Sequence, residues 1–566
     1  MKSTLETLIQ EAIQALFGVS EARFAVEYPA ELAHGDFATN AALVIAKAVG
    51  KSPREVAEAI TAWMEGKDKN IAAISVAGPG FINFSLDRAY ISAELAAAMA
   101  PTYGHGTDWA GRRVMVEYTQ PNPFKPFHIG HLMTNTIGEA TARIIAAAGG
   151  SVIRANYQGD VGPHVAKALY GLMQKGKPDE KLPLNETAQY IGECYVYGNT
   201  QYEENEEAKK EIDTINRSIY ERSDEAVNEL YDWGRKVTLE AFEEIYAILG
   251  TQFDYYFFES EMAPKGKEIV KAHIGKVFEE SDGAIVFHGE KFNPKLHTRV
   301  FITKADLPTY EAKEIGLTAT KFEKERLDAS IVITAVEQKD YQAVVIEAIR
   351  QLYPHYAAHM SVLAHGMMRF AEGKMSSRKG NVVTGESLIR DAQALAQEKM
   401  KDRDMDAKTK AQAADSIAVG AIKYAILRQG IGGDIIYDAE QSVSLEGDSG
   451  PYLQYTATRA RSVMQKAADA GIRASVAKAP EVTYEIERVL QRFPSIVSRA
   501  AQELEPHHIA TYLTDVAARF NSFYATEQIA DPADVYAPYK LAIATAVHTT
   551  LVEGLHAIGI SVPEKM

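Results

Sequence analysis

The sequence predicts an α/β protein of several domains: a parallel-sheet domain with a helical insertion, set between a small α+β domain and an all-α domain. Three observations predict this. Strand, helix and strand patterns follow one another across residues 114–157, and a crossover of that length joins parallel strands. From about residue 387 onward the pattern is almost purely helical. The length, 566 residues, exceeds what one hydrophobic core fills, so three or four domains are expected.

Residues 1–105 make the first predicted domain. Helical patterns at 5–17 and 38–49 lead to strand-like Ile74-Ser75-Val76 and Phe81-Ile82-Asn83-Phe84, with Gly78-Pro79-Gly80 as the turn between them. The second domain spans 106–385. It opens on a buried strand, Val114-Met115-Val116-Glu117-Tyr118, followed by a Pro-rich loop at 121–127. A helix is predicted from about 128 to 148, ended by Gly149-Gly150, with 152–157 as the next strand. A long acidic helical insertion is expected at about 163–280. Residues 284–287, 299–302 and 330–334 then return to strand character. The third domain spans 386–566. Its clearest helix places Ile509, Tyr512, Leu513, Val516, Phe520, Phe523 and Tyr524 three or four apart behind Pro506.

Composition narrows the function classes. The single cysteine, Cys194, excludes intramolecular disulfides and any multi-cysteine zinc knuckle, so no zinc is expected. No stretch reaches the roughly 20 apolar residues of a membrane span, so no membrane partner is expected. The N-terminus, Met1-Lys2-Ser3-Thr4-Leu5-Glu6, lacks the basic head and apolar stretch of a signal peptide, and a cytoplasmic location is expected. A net charge of -16 argues against a generally basic nucleic-acid binder. Much of the excess lies in residues 203–244, however, and a global sign does not exclude a local cationic groove. Nothing asks for an obligate dimer, and a monomer is expected.

Three groups of residues could carry chemistry. His128-Ile129-Gly130-His131 stands where a strand gives way to a helix, at the carboxyl edge of a parallel sheet. Ligands bind there in open α/β folds, and free N–H groups favour phosphate. His128 and His131 can donate to phosphate oxygens, Lys125 lies just upstream, and Gly130 leaves room for a nucleotide ring. Far downstream, Gly373-Lys374-Met375-Ser376-Ser377-Arg378-Lys379-Gly380 has glycines at both ends and offers cations to a pyrophosphate. The third group suits a planar cation. Glu117 ends the first strand with Asn122 in the loop after it, Tyr310 and Glu314 share a helical face, and Gln338 follows the strand at 330–334. By spacing alone, each of these carboxylates also fits an ordinary ion pair.

Taken together, these residues resemble the class I aminoacyl-tRNA synthetases, and within them the arginyl-tRNA synthetases. Val116-Glu117-Tyr118-Thr119-Gln120-Pro121-Asn122 with Lys125-Pro126-Phe127-His128-Ile129-Gly130-His131 is similar to that family's first signature. Lys374-Met375-Ser376-Ser377-Arg378 resembles its second. His34-Gly35-Asp36-Phe37-Ala38-Thr39-Asn40 resembles its N-terminal domain. Gly447-Asp448-Ser449-Gly450-Pro451-Tyr452-Leu453-Gln454-Tyr455, with Arg459 and Arg461, resembles the start of its helical anticodon-binding domain. The ending Gly559-Ile560-Ser561-Val562-Pro563-Glu564-Lys565-Met566 is similar as well, so the likeness covers nearly the whole chain.

The resemblance implies a Rossmann-like catalytic domain and two steps. L-arginine and ATP, the latter with Mg2+, give arginyl-adenylate and pyrophosphate, and the arginyl group then passes to the terminal ribose of tRNA(Arg). Activation would depend on bound tRNA, and no editing domain is needed. By resemblance, Glu117, Asn122, Tyr310, Glu314 and Gln338 hold arginine. His128, His131, Lys125 and Lys374 stabilise the phosphates. Gly130, Met368, Ser376, Ser377 and Arg378 meet ATP, with Met368 beside the adenine. Phe37, Asn40, Tyr452, Gln454, Tyr455, Arg459, Arg461 and Met566 meet tRNA. Three departures stand out. Glu314 replaces the usual aspartate, the second signature ends in Arg378 rather than serine, and Val161-Gly162-Pro163-His164 follows Gly159-Asp160 where Trp-Gly-Thr-Gln is commoner. Other class I synthetases fit less well, needing zinc-binding cysteines or a larger editing insertion. A small nucleotidyltransferase would lack the helical C-terminal domain, and the intact first signature with Lys374 speaks against an inactive tRNA-binding paralogue.

Overall fold

The computed structural model describes residues 1–29, 31–371 and 383–566, which pack as two units. The first unit comprises Met1–Gly104, Thr456–Ser495 and Tyr512–Glu553, and the second comprises His105–Tyr455, Ile496–Thr511 and Gly554–Met566. The first and last parts of the chain, read from sequence as separate domains, thus contribute to one packed unit. No helix among the described residues is long and apolar enough to cross a membrane.

In the first unit, strands β1 (Val26–Glu27), β2 (Phe37–Thr39), β3 (Ile71–Ala77) and β4 (Phe81–Leu86) form an antiparallel sheet in the order β1-β2-β4-β3. Helices Lys2–Phe17, Ala41–Val49 and Pro53–Met64 cover it through Leu5, Ile9, Ile45, Val56 and Ile60. The helix expected from residue 38 starts at Ala41, because Phe37 and Thr39 alternate into the core and pair with β4 instead. Ser52 opens the following helix with a reciprocal capping box to Glu55 and Pro53 in its first turn. Two ion pairs with buried carboxylates join the chain's beginning to its later helices: Arg88 to Glu487 at 2.7 Å and Arg488 to Asp36 at 2.9 Å.

The second unit is built on parallel strands. Strands β5 (Arg113–Glu117), β6 (Ser151–Gln158) and β7 (Tyr255–Phe258) come first. Next are β8 (Glu279–Ser281), β9 (Ala284–His288) and β10 (Thr298–Ile302), then β11 (Ala329–Ala335) and β12 (Met360–His365). The main sheet is parallel throughout, in the order β12-β11-β5-β6-β7. The segments at 284–287 and 299–302 are strands, but β8, β9 and β10 form their own antiparallel sheet. Strand β7 falls inside the stretch expected to be insertion. The acidic helices before it, Leu184–Glu204, Glu206–Glu221 and Glu225–Leu249, bury Ile212, Ile215 and Ile219 against Leu169, Ile191 and Cys194. Their acids line the outer faces, and Cys194 is a buried packing residue.

Candidate active site

The loop after β5 carries local strain. Thr119, Gln120 and Phe124 all have left-handed backbones, with φ of 76°, 52° and 67°. Such conformations are costly for a β-branched residue and persist only where the surroundings enforce them. Here Asn135 donates to the Thr119 hydroxyl at 2.9 Å, and Tyr118 donates to Glu139, itself paired with Arg143 and Arg154. The loop delivers the chain to the helix Ile129–Ala147, whose first turn holds the two histidines.

Those histidines cap their own helix. The His131 N–H donates to His128 Nδ1, the His128 N–H donates to His131 Nδ1, each at 3.3 Å, and the rings stack 3.4 Å apart. With each Nδ1 accepting, a neutral ring carries its proton on Nε2 and can donate it outward. Burial and the Lys125 charge lower the His128 pKa; burial, first, and the charges of His128 and Lys125 hold His131 well below the usual range. Gly130 is required for the stack itself, because a Cβ there would stand 2.9 Å from the His128 ring. Lys125 sits over the Tyr195 ring of the insertion, and burial lowers its pKa. Helix Gly385–Met400 begins against this turn, with Gly385 N–H donating to Phe127 O at 2.8 Å and a bridge between His128 and Thr384. Lys374, Ser376, Ser377 and Arg378 lie outside the described residues.

A second cluster surrounds the carboxyl ends of β5 and β6. Glu117 is fully buried and pairs with Lys321 at 2.8 Å, while its other oxygen accepts from Gln120 at 2.8 Å. Glu259 pairs with buried Lys313 at 2.6 Å, and Glu311 with Arg299 at 2.9 Å. Glu314, partly exposed on the same helix Tyr310–Lys324, has no hydrogen-bonding or ion-pairing partner among the described residues. Burial, and the Glu117 carboxylate facing it, push its pKa up to about 8. The buried hydroxyl of Tyr157 also lacks a partner among the described residues. Asn122 lies over Gly159, where any Cβ would strike its Oδ1 and approach Glu259. Tyr310 is half exposed at the start of its helix, beneath Lys313, and Gln338 is exposed after β11. Sequence reasoning missed Lys321, Lys313, Glu259 and Tyr157, whose roles depend on partners from other elements.

The remaining residues fall elsewhere. Met368 opens strand β13 (Met368–Phe370), which pairs in parallel with β14 (Ile435–Tyr437). Two residues expected at tRNA face inward instead. Phe37 packs in the core beside Tyr28, and Gln454 is buried, donating to Ser416 O at 2.9 Å and Ser561 O at 2.6 Å. Asn40 accepts from the Ala25 N–H at 2.9 Å, and Arg459 donates to Asn521 at 2.5 Å. Tyr452, Tyr455, Arg461 and Met566 are partly exposed. His164, in the departure from the usual motif, bonds to Gly159 O at 2.8 Å, and burial drives its pKa down to about 3.

Comparison with known proteins agrees with this arrangement. Residues 103–438 match the family model described as tRNA synthetases class I (R), catalytic domain. Residues 453–566 match the DALR anticodon binding domain, and residues 3–86 the arginyl tRNA synthetase N-terminal domain. An arginine–tRNA ligase of Lactobacillus johnsonii is 29% identical, covering 96% of both chains. One from Halothermothrix orenii is 28% identical, covering 100% of this chain and 99% of its own. The arginyl-tRNA synthetase structure of Thermus thermophilus superposes with a TM-score of 0.80 at 25% identity, covering 100% of each chain. That of Plasmodium falciparum gives 0.77 at 19% identity, a likeness of fold. The histidine-capped helix on a parallel sheet and the cluster of acids beside it are thus housed in a chain that belongs to the class I (R) tRNA synthetases.

Proposed function

We infer that the protein is an arginine–tRNA ligase that uses ATP. One observation carries the choice of amino acid. Of four neighbouring carboxylates, Glu117, Glu259 and Glu311 each have a resident cation, and Glu314 has none among the described residues. A guanidinium entering the pocket supplies that missing partner, and the Tyr157 hydroxyl and Asn122 carboxamide offer further polar contacts. Tyr310 would close the mouth of the pocket, with Gln338 near the amino-acid end.

In the first step, an arginine carboxylate oxygen attacks the α-phosphorus of ATP and pyrophosphate leaves. His128 and His131 donate Nε2–H to oxygens that gain charge, and Lys125 adds a cation. Gly130 and Met368 would meet the nucleotide. We assign Lys374, Ser376, Ser377 and Arg378 to the pyrophosphate by motif alone. Magnesium would enter with ATP as part of the triphosphate substrate. In the second step, a ribose hydroxyl of the tRNA terminus attacks the acyl carbonyl and AMP leaves. Tyr455, Arg459 and Arg461 are our candidates for tRNA contacts. Incubation with ATP, labelled arginine and arginine-accepting tRNA should yield an ester-linked arginyl-tRNA. Equal labelling with lysine would contradict the assignment.

A further inference from the structure

The Glu314 site also determines how protons accompany the substrate, an inference that rests on the arginine reading above. Three charged pairs in the pocket wall are complete without substrate: Glu117 with Lys321, Glu259 with Lys313, and Glu311 with Arg299. Glu314 faces them all. Glu117 approaches from β5, Glu259 from helix Glu259–Ala272, and Glu311 and Lys321 from its own helix. Tyr157 of β6 and Tyr341 of helix Lys339–Leu352 complete the surround, and both feel the Glu314 charge. Lys321 is committed at 2.8 Å to Glu117, and no second cation pairs with Glu314 among the described residues. An ionised Glu314 would therefore add one uncompensated negative charge to a site already holding balanced pairs.

We propose that Glu314 holds a proton while the pocket is empty and releases it to solvent when the guanidinium enters. The carboxylic acid becomes a carboxylate paired with the substrate cation, and the proton passes to buffer, so charge balances at both stages. Lys321 already pairs with Glu117, so the exchange is assigned to the one carboxyl left without a cation among the described residues. The glutamate gives this chain a titrating selector: a cation that cannot pair with Glu314 leaves the proton in place. Burial and the neighbouring carboxylates, which raise Glu314 to about 8, agree with the geometry.

The test is titration calorimetry of arginine into the full chain, in buffers of different ionisation enthalpy. The slope of heat against buffer enthalpy gives protons released. Close to one proton per arginine is expected at neutral pH, with release falling away as pH rises through the Glu314 pKa of about 8. The apparent Kd for arginine should weaken as pH falls below 8, approaching tenfold per unit, and level off above it. Glu314→Gln should bind arginine more weakly with no release and no such pH dependence. Arginine binding without release at pH 7 would overturn the inference and leave the ligase reading intact. Release that persists in E314Q would overturn the assignment to Glu314, and failure of the wild-type chain to bind arginine would overturn both.

Discussion

At the residue scale, the site's chemistry depends on which polar atoms are already occupied. The Nδ1 atoms of His128 and His131 are taken by each other's backbone N–H groups, leaving the Nε2 side for substrate. His128→Ala should lower the rate of pyrophosphate exchange by about 100-fold, as loss of a preorganised donor does, with arginine binding little changed. Saturation kinetics for both substrates separate those effects. Tyr157 presents the converse case, a buried hydroxyl with no described partner. Tyr157→Phe should weaken arginine binding by about tenfold, or ~1.4 kcal/mol, while leaving Tm unchanged. A fall in Tm without loss of binding would make the hydroxyl structural. The histidines and Glu314 are legible in the sequence because motif and helical spacing place them. Lys321 is not, since its meeting with Glu117 joins residues 204 positions apart, and no local pattern encodes that.

At the scale of elements, Asp160 pins the insertion to the sheet. It follows β6, is fully buried, and accepts from Arg235 Nε at 2.8 Å and from the Ser260 N–H and hydroxyl, each at 2.8 Å. Asp160→Asn would leave the Arg235 guanidinium uncompensated. Since Arg235 is partly exposed, the expected cost is about 2–3 kcal/mol rather than that of a fully buried pair. Denaturant unfolding should show that loss, with faster hydrogen exchange across Glu225–Leu249. The long helices were readable from period alone. Strand β7 was not, because its Tyr255-Tyr256-Phe257-Phe258 run follows an acidic helical stretch and carries no alternation. Strands β9 and β10 were recognised as strands, but period does not say which sheet a strand joins.

At the scale of the whole molecule, the second unit draws together distant segments. Buried Lys423 donates to Leu249 O at 2.6 Å and Gly559 O at 2.7 Å, tying the end of helix Glu225–Leu249 to the C-terminal segment. Lys423→Met should raise hydrogen exchange across Gly554–Met566, with little change in the sheet. An unchanged pattern would show that packing alone holds the segment. The sequence suggested one ATP site made from two far-apart signatures, and the hydrogen bond from Gly385 to Phe127 brings the flank of the second to the first. It did not suggest that residues 1–104 and 456–495 pack together, because that depends on tertiary ion pairs such as Arg88 with Glu487. Glu314, without a cation among the described residues, is the group that selects a guanidinium for activation on the histidine-capped helix. The most direct test of that selection is amino-acid-dependent ATP–pyrophosphate exchange in the presence of tRNA. Exchange with arginine, with none from lysine, is expected. Exchange driven equally by lysine, or absent with arginine, would contradict the account.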